Sequence, residues 1–272
     1  MKFSMSEAWR DATAMMTANR EVLLVVAAIF FLLPSLVPAL VMPDLQQTMM
    51  ADPQNASAMM NELLSEWGVA LIVGGIVLLL AQIVGYLGML ALLRDTSRPT
   101  VGEALKAGLA GLLPAIGYYI VLVIGFVVVA FVVGLLVAMS PGLGLVVALV
   151  CAVLAVYVMI KLSLALAVIV IEKVSNPIAA MSRSWALTKG NSFRLFLFFL
   201  LLGIVYIVIS AVIGMIVGAL VLALGTSIAL VVNGVISAIL GTAFTVVIVA
   251  VVAAIHRQLS GPSAAAVSET FE

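Results

Sequence analysis

Six uninterrupted apolar runs dominate the chain, at residues 21–42, 69–93, 113–139, 145–171, 195–223 and 227–255. Each is at least as long as the roughly 20 residues that a helix needs to cross a bilayer core. None shows the period-two alternation of a lipid-facing barrel strand, and helices satisfy their own backbones in lipid, so the pattern predicts six transmembrane helices. The polar intervals between them are uneven. Ser140-Pro141-Gly142-Leu143-Gly144 and Leu224-Gly225-Thr226 read as tight turns, whereas 43–68 reads as a long connecting loop. Pro34 and Pro38 predict a kink in the first run, because proline removes a backbone donor and crowds the preceding turn.

A second, finer pattern recurs three times before the apolar pairs. Ser4, Thr100 and Asn176 each stand where a helix N-cap is expected, and each is followed four positions later by alanine, at Ala8, Ala104 and Ala180. Ser4 with Glu7 and Thr100 with Glu103 have capping-box spacing, in which hydroxyl and carboxylate each satisfy a free backbone donor. Asn176 is followed by Pro177, which suits the first helical turn. Each opening predicts a short amphipathic helix lying at the membrane boundary. In the first, Met5, Ala8, Trp9, Ala12 and Met16 form an apolar stripe, as expected of a helix at the headgroup level. In the third, Ile178, Met181 and Trp185 share a face with Arg183 turned away, and Lys189-Gly190 marks the end. Gly108 with Pro114, and Asn19-Arg20, mark the corresponding bends. The chain thus reads as one membrane domain, 1–258, of three units, 1–93, 94–171 and 172–258, each an interfacial helix and a hairpin of two spans. Residues 259–272 read as a short disordered tail.

Composition agrees with this reading and adds an orientation. Of the 272 residues, 65% are hydrophobic and 9% charged, a balance that excludes a soluble globular domain. Formal net charge is zero, yet eleven of the twelve Lys and Arg residues lie on one side of the predicted spans. They are Lys2, Arg10 and Arg20; Arg94, Arg98 and Lys106; Lys173, Arg183, Lys189 and Arg194; and Arg257. The opposite connections hold none. The positive-inside rule then places both termini in the cytoplasm. A secretory signal peptide is not expected, because a mostly polar segment of twenty residues precedes the first run.

Chemistry-bearing residues are few. Cys151 is the single cysteine, so neither an intrachain disulfide nor a thiolate metal cluster is expected. His256, beside Arg257, reads as an interfacial residue. No metal-ligand set, nucleophile–base pair or phosphate-binding glycine loop stands out, and the expectation is a protein without catalysis, cofactor or nucleic-acid partner. Lys161 is the exception in energetic terms. In an unbroken fourth span it would lie roughly 15 Å from the basic side, at a cost of several kcal/mol unless paired or hydrated. Three outcomes are open: snorkelling to headgroups, bonding to a group such as Gln82 in the second span, or meeting an anionic ligand. Ser210, Gly214 and Gly218, four residues apart, would permit close helix approach within or between chains.

Residues 176–196 carry a resemblance. The stretch Ser184-Trp185-Ala186-Leu187-Thr188-Lys189-Gly190, with Lys161-Leu162-Ser163-Leu164-Ala165-Leu166 before it, resembles the membrane domain associated with bacterial glycerophosphoryl diester phosphodiesterases and related small inner-membrane proteins. The resemblance implies a membrane domain and no hydrolysis, since the enzyme's soluble barrel of roughly 250 residues has no counterpart in this sequence.

Two functions are compatible with these features. The first is a non-catalytic membrane protein that engages anionic lipid, a second copy or a membrane partner through its basic interfacial helices, with Arg183, Trp185, Lys189 and Arg194 as contacts. The alternative is a permease for a small anionic amphiphile, with Lys161 and Gln82 along its path.

Overall fold

The computed structural model describes residues 2–41, 53–94, 100–224 and 226–261. The described residues are helical almost throughout and hold no strand. Six helical segments are long and apolar enough to cross a membrane, at Arg20–Val37, Ser57–Leu92, Val101–Met139, Pro141–Ile171, Ser192–Ala219 and Val231–Ser260. The chain is therefore an all-α, polytopic membrane protein. The expected tail after Gly261 and most of the 43–52 connection lie outside the described residues.

Helix α1 (Met5–Ala18) starts at Ser4, whose hydroxyl accepts from the Glu7 N–H at a long 3.5 Å. The reciprocal half of the expected capping box is not formed. Instead the Ser4 N–H donates to Gln258 Oε1, and Gln258 Nε2 donates to the Glu7 carboxylate at 3.0 Å. The first span is α2 (Arg20–Ala27), a π-helical turn (Ala28–Leu32) and α3 (Leu33–Val41). The wide turn falls immediately before Pro34, where the ring would crowd a regular helix, and Ser35 Oγ donates to the Phe31 and Leu32 carbonyls at 2.8 and 2.9 Å. The kink expected from the prolines is thus absorbed by an extra residue in the turn.

Helix α4 (Pro53–Leu92) begins well before the second apolar run, so 53–68 is helix where a loop was expected. Its Ala, Met, Glu and Leu residues are strong helix formers, and helical extension needs no apolar face. Helix α5 (Val101–Met139) opens with the full Thr100–Glu103 capping box. No break separates its opening from the span, and Pro114 sits inside one continuous helix. Ser140 alone separates α5 from α6 (Pro141–Leu162), and the tight turn brings Gly144 against Val137, where a Cβ would collide with backbone. The chain continues through α7 (Ala165–Ile171), α8 (Pro177–Leu187), α9 (Ser192–Leu224) and α10 (Thr226–Ser260).

The spans pack as a closed sequence of neighbours: the first span against α4, then α4 with α5, α5 with α6, α6 with α9, α9 with α10, and α10 against the first span again. Gly88 and Gly108 set the α4–α5 crossing, since a Cβ on Gly108 would lie 2.5 Å from the Val84 carbonyl oxygen. The buried core gathers at one end. It contains Leu87–Leu93 of α4, Leu164–Val170 around α7, Val249–Ile255 of α10, and Ala8 and Ala12 of α1. The other halves of the spans expose Val123, Phe131, Leu149, Ile207 and similar residues, as lipid-facing surfaces do. The alanine shared by the three openings is fully enclosed in all of them: Ala8 0%, Ala104 1% and Ala180 0% exposed. Its small side chain lets each opening lie against a neighbour. For α1 this changes the expectation of a headgroup-facing stripe, because Ala8 and Ala12 pack onto protein, chiefly α10, while Trp9 remains exposed.

Candidate functional site

The fourth span breaks at Ser163-Leu164, and half of the sequence-selected residues lie around that break. Leu164 leaves the helical ladder, and α7 then runs buried among α4, α5, α8 and α10. A break among buried residues strands backbone groups, and these must find partners. Ser184 of α8 supplies two of them. Its hydroxyl donates to the Lys161 carbonyl at 2.8 Å and accepts from the Leu164 N–H at 3.2 Å, standing in for a missing peptide unit. The Leu162 carbonyl accepts from the Tyr118 hydroxyl at 3.5 Å, and Ser163 Oγ donates to the Ile160 carbonyl at 2.8 Å.

Lys161 consequently occupies the last turn of α6, not the middle of a straight span. The negative end of the helix dipole favours a cation there. Its side chain is 3% exposed, and Nζ lies 5.6 Å from the centroid of Tyr157 and 5.4 Å from that of Trp185. The two rings meet edge to face at 5.8 Å and 88°. Cation–π attraction of this kind is worth about 1–2 kcal/mol where water is scarce. The ammonium thus has internal partners other than Gln82, two aromatic rings. Gln82 is half-buried on α4 and makes no hydrogen bond to Lys161.

Helix α8 owes its position to Asn176, whose Oδ1 accepts from the Ile178 and Ala179 N–H groups, and ends with Gly190 at φ +80°. That conformation suits glycine because it has no Cβ. Along α8 and the segment that follows it, the basic residues have separate fates. Arg183 Nε donates to Glu172 at 3.0 Å, and the same carboxylate meets Nε2 of the buried His256 at 3.0 Å. Arg194 donates to the Phe3 carbonyl at 3.2 Å, while the Phe3 N–H donates to Asn191 Oδ1 and its ring packs on Phe198. Lys189 is exposed, and its ammonium has no acceptor among the described residues. Among the six sequence-selected residues, the structure brings Lys161, Trp185 and Lys189 together and leaves Gln82, Arg183 and Arg194 to other tasks.

A groove of about 590 Å³ runs between α6 and α8, walled by Val158, Leu162, Ile178, Met181 and Trp185, with Ser182 and Lys189 at its polar rim. It shares Val158, Leu162 and Met181 with a deeper apolar slot of about 360 Å³ between α5 and α6, which also includes Leu122, Gly125 and Cys151. Together they form a path from a cationic rim into an apolar channel. Tyr157, Ser184, Thr188 and Glu172 are the participants that sequence reasoning missed. The four-residue spacing of Tyr157 and Lys161, and of Ser184 and Thr188, was the available signal.

No protein-family model, curated protein or solved structure matches the chain. Fold and site together define an integral membrane protein of six apolar helices, with the short helix α8 stitched onto a broken span.

Proposed function

We propose that this is a non-catalytic protein of the bacterial inner membrane that seats an anionic phospholipid in the α6–α8 groove, with the basic end and both termini in the cytoplasm. The observation that carries the reading is the continuity of the Lys189 rim with the apolar slot between α5 and α6. A phospholipid has the matching form, an anionic head joined to apolar chains. Trp185 supports the reading because an exposed indole prefers the headgroup boundary. The resemblance of 176–196 to a membrane domain found beside phospholipid-related enzymes is compatible with it.

Lipid analysis of the protein extracted into nanodiscs tests the proposal. Lys189→Gln and Trp185→Ala should each lower retention of phosphatidylglycerol relative to phosphatidylcholine. Arg183→Gln, whose guanidinium is already engaged by Glu172, should not. Equal retention by the wild type and both groove variants would reject the lipid role.

A further inference from the structure

A second concavity, separate from the groove, lies where the end of α4, the start of α5 and the 173–175 segment meet. Its volume is about 410 Å³, and Arg94, Lys106 and Lys173 stand on its wall above an apolar floor that includes Pro114 and Ile169. The three cations come from three different segments of the chain, so their convergence is a product of the fold. None has an ion-pair partner among the described residues. Glu103 shares the wall as an anion, its carboxylate held by the Thr100 N–H at 2.8 Å and the Thr100 hydroxyl at 3.1 Å, so the wall carries three cations against one carboxylate.

Two further observations mark the pocket. Lys173 holds φ at +56°, a left-handed conformation unusual for a residue with a Cβ, and this is the conformation in which it joins the pocket wall. Its neighbour Glu172 points elsewhere, to Arg183 and His256, so the carboxylate nearest in sequence is withdrawn from the pocket. Three like charges around one concavity repel each other, and an anion entering it relieves that repulsion. Arginine and lysine together suit a phosphate, the former through paired donors and the latter as a point charge.

We infer that this pocket is a binding site for a phosphate-bearing anion, distinct from the α6–α8 groove. The same chemistry is offered by a soluble phosphate and by a phospholipid headgroup reaching in from the boundary, so the test has two arms. In the first, full-length protein in phosphatidylcholine nanodiscs is titrated with inorganic phosphate, and affinity is read by calorimetry. In the second, native mass spectrometry counts phosphatidylglycerol retained by protein from mixed nanodiscs. Arg94→Gln, Lys106→Glu and Lys173→Gly are compared, with Lys189→Gln reporting on the groove. Lys173→Gly removes the cation while permitting the left-handed backbone, so it separates loss of charge from loss of fold.

Weakening of phosphate affinity by about tenfold in each pocket variant, with Lys189→Gln unchanged, establishes the site with a soluble ligand. Loss of phosphatidylglycerol in the pocket variants, without phosphate binding by the wild type, establishes it with a lipid headgroup. Identical behaviour of wild type and all three pocket variants in both arms overturns the inference, whatever Lys189→Gln does in the groove.

Discussion

Across the break in the fourth span, the Ser184 hydroxyl donates to the Lys161 carbonyl at 2.8 Å, tying helix α8 to the end of α6. The same oxygen accepts from the Leu164 N–H, so one small side chain serves both ends of the interruption. Ser184→Ala should therefore strand two buried backbone groups. The expected loss is about 1–3 kcal/mol, read as a lower melting temperature in detergent, with Ser184→Thr closer to wild type than alanine. A melting temperature unchanged by alanine would show that the break is held by α7 packing alone.

The glycines make a contrasting pair of tests. Gly108 faces the α4 backbone, and a Cβ there would sit 2.5 Å from the Val84 carbonyl oxygen. Gly108→Val should prevent the α4–α5 approach and abolish recovery of folded protein by size-exclusion chromatography. A Cβ on Gly214 or Gly218 would meet nothing within 4 Å, so alanine at either should shift stability by no more than about 0.5 kcal/mol. Strong destabilisation by Gly214→Ala would mean that a second chain occupies that face.

Glu172 is shared unequally. Arg183 is about half exposed, and Arg183→Gln should cost no more than about 1 kcal/mol. Glu172→Leu deprives the buried His256 ring of its acceptor as well, and should cost about 1–3 kcal/mol. Chemical denaturation of the two variants side by side checks the order. An equal or reversed order would place the weight on Arg183.

The N-terminal clasp is the fourth structural test. Phe3 is buried against Phe198, with its N–H on Asn191 and its carbonyl on Arg194. Phe3→Ala should cost about 3–5 kcal/mol and raise protease sensitivity within α1. Retained protection would show that Gln258 and the Arg257–Asp11 pair at 2.6 Å suffice to hold the helix.

The spans and the caps were legible because both are local: apolar length predicts the one, and hydroxyl or amide before a helical run predicts the other. Thr100 and Asn176 cap as their spacing says. The Ser4 box failed by half, because Gln258, 254 residues away, competes for its donor. The site was legible as a region and not as an arrangement. Arg183, Lys189 and Arg194 look equivalent in sequence, yet two of them meet acceptors from distant segments and one does not. Lys161 looked deeply placed because nothing local announces the break after Leu162; its cause lies in α8, twenty residues on. The cations of the second pocket were counted as signs of topology, since their convergence depends on how α4, α5 and the 173–175 segment meet.

The clasp between α1 and α10 also orders the biogenesis of the molecule. Helix α1 is made long before α10, its main partner, so the contacts of Ser4 and Asp11 with Gln258 and Arg257 close only after every span between them has been threaded. Until then Ala8 and Ala12 lack the α10 surface that covers them, and insertion of α10 completes their burial.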